Sequence, residues 1–235
     1  MNVFRRRELK FLIGQQQRAV LEQVFAEKMV PDRFPHSSIR NIYYDTPDYR
    51  LIRRSLEKPV YKEKLRLRCY GNSQEAFLEM KKKYKGIVYK RRIGLTESQA
   101  QAFMERRGDL PDSQIAREML YFRDFYRELE PKVYLSYERD SWLGKEDPGL
   151  RITMDDRICF RKSDLELSIA PDGQQLLPPE MSLLEVKAEY AIPLWLTELL
   201  AQQKIHKISF SKYGRAYEMG LQEQMKEGRG LGYAR

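Results

Sequence analysis

The stretch Y-K-E-K-L-R-L-R-C-Y, Tyr61 to Tyr70, decides the fold. Side chains alternate across an extended strand. Lys62, Lys64, Arg66 and Arg68 therefore share one face, and Glu63, Leu65, Leu67 and Cys69 share the other. The next stretches repeat the division: Phe77, Glu79, Lys81 and Lys83 oppose Leu78, Met80 and Lys82, and Val88, Lys90 and Arg92 oppose Ile87, Tyr89 and Ile93.

Later stretches carry it on with fewer charges. Arg151, Thr153 and Asp155 oppose Leu150, Ile152 and Met154; Leu183, Glu185 and Lys187 oppose Leu184 and Val186; Arg139 ends a run on the side of Val133, Leu135 and Tyr137. A sheet with one solvated face gives this alternation too, and for one strand that is the better account. Solvated faces usually intersperse both signs, however, whereas here separate strands place Lys or Arg together with only an occasional Glu. Like charges side by side across strands repel, so such a face is favourable where an anion sits on it. A closed barrel supplies that geometry, because inward residues of every strand converge on one channel.

Further strands are predicted over Arg5–Ile13, Ile39–Asp45, Lys132–Asp140 and, as a short closing run, Lys207–Lys212. Helical periodicity marks Gln15–Met29, Thr96–Arg106 behind a Thr cap, Ser113–Leu129, and a helix with Pro193 as its first residue. Helices laid on the apolar faces leave the charged faces pointing inward. The expected fold is α+β: an antiparallel β-barrel tunnel of about eight strands with helices packed outside.

The chain has 235 residues, with 43 Lys plus Arg against 34 Asp plus Glu, a net charge of +9. That balance favours anionic partners without choosing among phosphates, nucleic acid and lipid. Cys69 and Cys159 have no paired spacing, so neither a disulfide framework nor a zinc site is indicated. No stretch approaches the roughly 20 apolar residues of a membrane span, and Phe11–Ile13 is too short for the core of a secretory signal. A cytoplasmic protein without membrane insertion is expected. The domain is read as 1–221 and a flexible tail as 222–235.

The motifs R-R-R-E-L-K-F (5–11 region), N-I-Y-Y-D-T-P-D (41–48), Y-K-E-K-L-R-L-R (61–68), F-L-E-M-K-K-K (77–83), Y-K-R-R (89–92), S-Y-E-R (136–139), L-R-I-T-M-D (150–155), L-L-E-V-K (183–187) and S-F-S-K-Y-G (209–214) occur in that order. Together they resemble the VTC domain, the polyphosphate polymerase domain of the vacuolar transporter chaperone complex, within the triphosphate tunnel metalloenzymes. The resemblance implies phosphate contacts by Lys10, Arg66, Arg68, Lys81, Lys90, Arg139, Arg151 and Lys212, and a divalent metal, manganese or magnesium, held by Glu185. Glu79 and Asp155 are possible further ligands. The face analysis adds Lys64, Lys83, Arg92 and Lys187 as supporting phosphate contacts. Where many tunnel enzymes carry E-x-E-x-K, this chain reads Arg6, Glu8, Lys10.

Phosphoryl transfer asks a protein mainly for in-line positioning and charge neutralisation, and Lys, Arg and a hard cation supply both. The implied function is transfer of the terminal phosphate of ATP to a polyphosphate chain, with a triphosphatase and a non-catalytic polyphosphate-binding module as alternatives. ATP and polyphosphate are the expected partners; a membrane-protein partner for export is left open. Nucleic acid is not expected, because aromatics do not alternate with the basic residues as in single-strand binders. His36 and His206 receive no catalytic role, and Tyr43, Tyr44 and Asp45 are read as a strand end and Asp-led turn.

Overall fold

Alternating apolar and charged residues build one antiparallel sheet, seen in a computed structural model that describes residues 7–71, 73, 75–85 and 87–230. The chain runs β1 (Arg7–Gly14), α1 (Gln15–Lys28), β2 (Met29–Asp45), α2 (Arg50–Leu56), β3 (Tyr61–Tyr70), β4 (Glu75–Tyr84), β5 (Ile87–Thr96), α3 (Glu97–Met104) and α4 (Gln114–Tyr126). It continues through β6 (Glu130–Gly144), β7 (Arg151–Arg161), β8 (Gln174–Gln175), β9 (Met181–Ala188), α5 (Leu194–Gln202), β10 (Lys207–Ile208) and α6 (Lys212–Gly230).

The sheet order is β10-β1-β9-β7-β6-β2-β3-β4-β5, with β8 paired to β7. Eight strands are long and two, β8 and β10, have two residues each. The ladder is not closed: among the described residues β5 and β10 end the path unpaired with each other. Side chains bridge the gap instead. Glu8 on β1 meets Lys81 on β4 at 3.9 Å, and Lys64 on β3 donates to Ser211 Oγ at 2.8 Å.

Apolar packing fixes which face turns inward. Leu65, Leu67, Leu78 and Met80 are buried against Phe103 of α3 and Phe122 of α4. Phe11, Ile152, Leu184 and Val186 are buried against Leu21 and Phe25 of α1 and Leu196 and Leu199 of α5. Those four helices cover the outer face as expected, and burying such side chains is the main stabilising term, about 1.5–3 kcal/mol for each large one.

The inner face has its own apolar cluster at one end. Ile39, Val133, Leu135, Tyr137 and Leu183 pack with Ile52 of α2 and Tyr213 and Ala216 of α6. Thus α6 lies against the inner face, in addition to the helices outside. It continues through Gly230, over positions read from sequence as a tail, while 231–235 lie outside the described residues. Pro193 is the N-cap of α5, one residue before the helix proper.

Helix α2 was not expected, and its cap explains why. Tyr49 precedes it in the left-handed region, φ 59°, with no capping side chain of its own. The acceptor comes from Asp45, six residues before Leu51. Its Oδ1 accepts from the amides of Thr46 and Leu51 at 2.9 and 2.8 Å, and its Oδ2 from Ile52 N at 3.0 Å and Tyr213 Oη at 2.8 Å. One fully buried carboxylate thus ties β2, α2 and α6 together. Asp45→Ala should destabilise the fold by roughly 3 kcal/mol, since it strands several buried donors. Urea unfolding measures this, and a loss below about 1 kcal/mol would contradict the role, being no more than one ordinary hydrogen bond.

Candidate functional site

The inner faces of the strands enclose a cavity whose lining has an uneven charge. Among the described residues 17 basic and 6 acidic residues line it, a surplus of 11 that exceeds the +9 net charge of the whole chain. Strand alternation does the sorting. On β3 the lining residues are Lys62, Lys64, Arg66 and Arg68, and on β4 they are Phe77, Glu79, Lys81 and Lys83.

All the cations expected to contact phosphate line this cavity. One wall carries Lys64, Arg66, Arg68, Lys81, Lys83, Lys90 and Arg92. The other carries Lys10, Arg139, Arg151, Lys187 and Lys212. Arg151 sits toward the rim and pairs with Asp32 at 2.8 Å.

Two sets of carboxylates offset the repulsion. On the hairpin wall, Glu79 accepts from Arg66 Nε and Nη2 at 2.9 and 2.7 Å, and meets Lys90 at 2.6 Å and Arg92 at 3.6 Å. Burial alone would raise its carboxyl; Arg66, Arg68 and Lys90 overcome this and hold it at about 2. On the opposite wall, Glu185 meets Lys10 at 3.2 Å, Lys187 and Lys212 at 3.3 Å, and Arg139 at 3.7 Å. Burial again opposes ionisation, and Lys212, Lys187, Lys10 and Arg139 keep Glu185 well below the usual carboxylate range.

Asp155 is placed differently from Glu79 and Glu185. It is fully buried and does not line the cavity. Its Oδ1 takes Arg139 Nε at 2.6 Å and its Oδ2 takes Arg139 Nη2 at 2.7 Å together with Lys212 Nζ. It therefore stands behind the wall, orienting Arg139 and Lys212 toward the space in front. Glu8 does line the cavity, beside Lys10 at 3.5 Å. Burial raises its carboxyl, but Lys81, Lys187 and Lys10 lower it below normal even though Glu185 repels it.

Residues that the sequence reading left out also reach the cavity. Tyr43, read as structural, accepts from Arg66 Nη1 at 3.1 Å and stacks on Tyr213 with centroids 4.6 Å apart. Tyr137 lines it too and accepts from Arg68 Nη2 at 2.9 Å, while Asn41 is buried behind the lining and its Oδ1 accepts from Arg68 Nε at 2.8 Å. The signal for Tyr43 was its parity: it shares a face with Ile39 and Asn41, which the register sets beside Tyr70 and Arg68. Neither histidine lines the cavity. His36 is exposed and pairs with Asp140.

The ring of cations and the counter-ions behind them make the inward face of the sheet attractive to anions. None of the curated proteins matches the chain. Among solved structures, a protein from Bacillus halodurans described as a candidate adenylate cyclase has 16% identity and a TM-score of 0.55, covering 87% of this chain and 92% of that one. A Pyrococcus horikoshii protein has 14% identity and a TM-score of 0.52, with 93% and 99% covered. A second candidate adenylate cyclase, from Vibrio parahaemolyticus, has 14% identity and a TM-score of 0.51, with 90% and 97% covered. These likenesses establish the fold. The sequence itself matches the VTC domain over residues 5–220, so the chain belongs to the VTC domain family.

Proposed function

We propose that this protein is a polyphosphate polymerase that transfers the terminal phosphate of ATP to a polyphosphate chain held in the tunnel. The observation that carries the reading is the concentration of the chain's excess positive charge on the tunnel lining. Cations crowded inside a sheet repel, and a polyanion threaded among them turns that repulsion into charge-assisted hydrogen bonds.

The side chains divide the work. Arg66, Lys81 and Lys90 on one wall and Lys10, Arg139, Lys187 and Lys212 on the other face the same space, so phosphate groups between them are neutralised from both sides. Holding donor and acceptor phosphates in line in this way supplies most of what phosphoryl transfer needs. An acceptor that is the end of a growing chain is already ionised and requires no general base. Glu79 and Asp155 keep the arginines oriented, which preserves their geometry between turnovers.

The residues fit a divalent metal that arrives with the triphosphate. Among the described residues no cluster of three His, Cys, Asp or Glu forms a resident metal site. Glu185 lines the tunnel as an ionised carboxylate, and Glu8 lies on the adjoining strand. A hard cation such as manganese or magnesium is commonly held by one or two carboxylates plus substrate phosphates. When bound, it neutralises further phosphate charge.

Incubation of the protein with ATP and manganese should lengthen polyphosphate, resolved on a gel; release of free phosphate with no chain beyond triphosphate would identify a triphosphatase instead. Glu185→Gln should abolish metal-dependent turnover with the circular dichroism spectrum unchanged. Arg66→Ala should weaken triphosphate binding by about 2–4 kcal/mol, the scale of losing one electrostatic donor. Native behaviour of both variants would sink the assignment.

Binding should also depend on pH in a defined direction. Burial, with Lys81, Lys10 and Lys62, pushes the Lys64 ammonium down to about 8 although Tyr43 supports it. Burial raises the Tyr43 hydroxyl, but Arg66, Lys64 and Arg68 bring it down to about 8. As pH rises through this value Lys64 loses a positive charge and Tyr43 gains a negative one. Both changes disfavour a polyanion, so tripolyphosphate affinity should fall and its binding should take up protons near pH 8. Calorimetry in buffers of different ionisation enthalpy reads both effects, and the Lys64→Met, Tyr43→Phe double variant should lose them. A flat profile in the native protein would refute the coupling.

A further inference from the structure

The outer surface carries an apolar patch that the tunnel does not use. Tyr121 and Phe125 stand one turn apart on the exposed side of α4, 69% and 54% exposed, with their rings stacked at a centroid separation of 6.2 Å. An exposed helix stripe is ordinarily polar. The patch continues over the start of β3 and the end of β4. Phe125 meets Tyr126 at 5.0 Å, the hydroxyls of Tyr126 and Tyr61 both donate to Glu63, and Tyr61 meets Tyr84 at 6.4 Å. Val60, 62% exposed, lies beside them, its carbonyl accepting from the Lys85 amide at 3.0 Å. Val60, Tyr61, Tyr84, Tyr121 and Phe125 all lie outside the tunnel lining.

Cations border these rings. The Arg50 guanidinium lies 6.0 Å from the Phe125 centroid and 5.6 Å from that of Tyr126, and the Lys85 ammonium lies over Tyr84 at 5.5 Å. Burial and Glu63 raise the Tyr61 hydroxyl, and Arg54 is close enough to offset part of that rise. The segment R-L-I-R-R-S-L-E-K, 50–58, sets Arg50, Arg53, Arg54 and Lys58 against Glu57 alone. Two carboxylates of α4 are engaged by cations of their own, Asp124 with Arg106 at 2.8 Å and Glu118 with Arg91 at 3.0 Å. Between Arg50, Arg54, Tyr61 and Tyr126 lies a recess of about 10 Å³, room for one water and for no side chain.

We infer that this patch docks the protein on an anionic lipid surface, with Val60, Tyr84, Tyr121 and Phe125 entering the headgroup layer and Arg50, Arg54, Lys58 and Lys85 meeting its negative charge. Tyrosine rings favour the boundary between lipid and water, and phenylalanine joins them on surfaces that lie in that boundary. Basic residues beside the rings are drawn to an anionic leaflet. The missing pocket separates a bilayer from a folded partner. A protein partner seats its anchoring side chains in well-packed pockets, and this recess admits none, whereas a lipid surface needs only projecting rings. The docking is independent of the polymerase reading, since the rings, Arg50 and Arg54 lie outside the tunnel lining.

Sedimentation with vesicles tests it, using phosphatidylcholine mixed with phosphatidylserine against phosphatidylcholine alone. The native protein should bind the mixed vesicles, less so at high salt, and leave the neutral ones. Filling the tunnel with stoichiometric tripolyphosphate should leave vesicle binding in place, which separates the patch from the basic lining. Tyr121→Ser with Phe125→Ser should weaken vesicle binding about tenfold or more, the scale of withdrawing two apolar side chains from burial, with tripolyphosphate affinity unchanged. Arg50→Ala with Arg54→Ala should weaken it several-fold, and lysine at both positions should retain it. Indifference of the native protein to the mixed vesicles, binding that tripolyphosphate abolishes, or binding that survives the loss of both rings would overturn the inference. A native dimer in solution that the Tyr121→Ser, Phe125→Ser variant makes monomeric would assign the patch to a second copy of the chain and overturn it as well.

Discussion

Repulsion among cations that face one another inside the sheet is the constraint on which the rest of the structure depends. Two unit charges 4 Å apart interact by roughly 4 kcal/mol at the effective dielectric near a protein surface. A lining with 17 basic residues therefore needs internal counter-ions. Glu79 serves the hairpin wall, and Glu185 and Asp155 serve the wall made by β1, β6, β7, β9 and the start of α6. Each is nearly or wholly buried, and each contacts more than one cation. Removing any of them leaves several charges uncompensated rather than one.

The same constraint accounts for an otherwise unfavourable placement. Lys212 is the first residue of α6, where the positive end of the helix dipole disfavours a cation. Its side chain is buried as well. Asp155 and Glu185 outweigh both penalties, and they raise the Lys212 ammonium above its ordinary value against the effect of burial. A charge held at such expense of position is directed to the tunnel. Asp45 does the corresponding work for the backbone, since its bond to Tyr213 anchors the turn after Lys212 to β2 and α2. The charged lining is thus carried on an apolar and hydrogen-bonded frame that does not itself face the ligand.

Much of this frame was legible in the sequence because it follows strand alternation. The limits of β3 are those read from Tyr61 to Tyr70, and Leu65 and Leu67 pack outward while Arg66 and Arg68 line the tunnel. What was not legible depends on contacts distant in sequence. Helix α2 takes its cap from Asp45, and no local signal precedes it. The inward position of α6 depends on the curl of the whole sheet, which brings Ile39, Val133 and Leu183 beneath it. A closed barrel was expected, yet among the described residues β10 and β5 stay unpaired at the two ends of the sheet, and the Glu8–Lys81 ion pair and the Lys64–Ser211 hydrogen bond join the two walls. Asp155 and Glu185 share an inward parity, but Arg139 and Lys212 close over Asp155 and separate it from the tunnel.

The electrostatics that gather a polyanion also bear on which reaction suits the site. Hydrolysis requires a water activated or oriented by a base, and a useful general base has a pKa near the working pH. The carboxylates nearest the cations move the other way: Glu79 is held at about 2, Glu185 lies well below normal, and Glu8 is also lowered. Glu79 is further occupied by Arg66 and Lys90. Such groups are counter-ions and weak proton acceptors. Two tunnel groups are displaced toward neutrality from the alkaline side, Lys64 and Tyr43, both to about 8; Lys64 is engaged with Ser211 and the Tyr43 hydroxyl with Arg66. On the polymerase reading proposed above, a phosphate chain end brings its own negative oxygen into this field and needs no proton removed, so the lowered carboxylates are no obstacle to it.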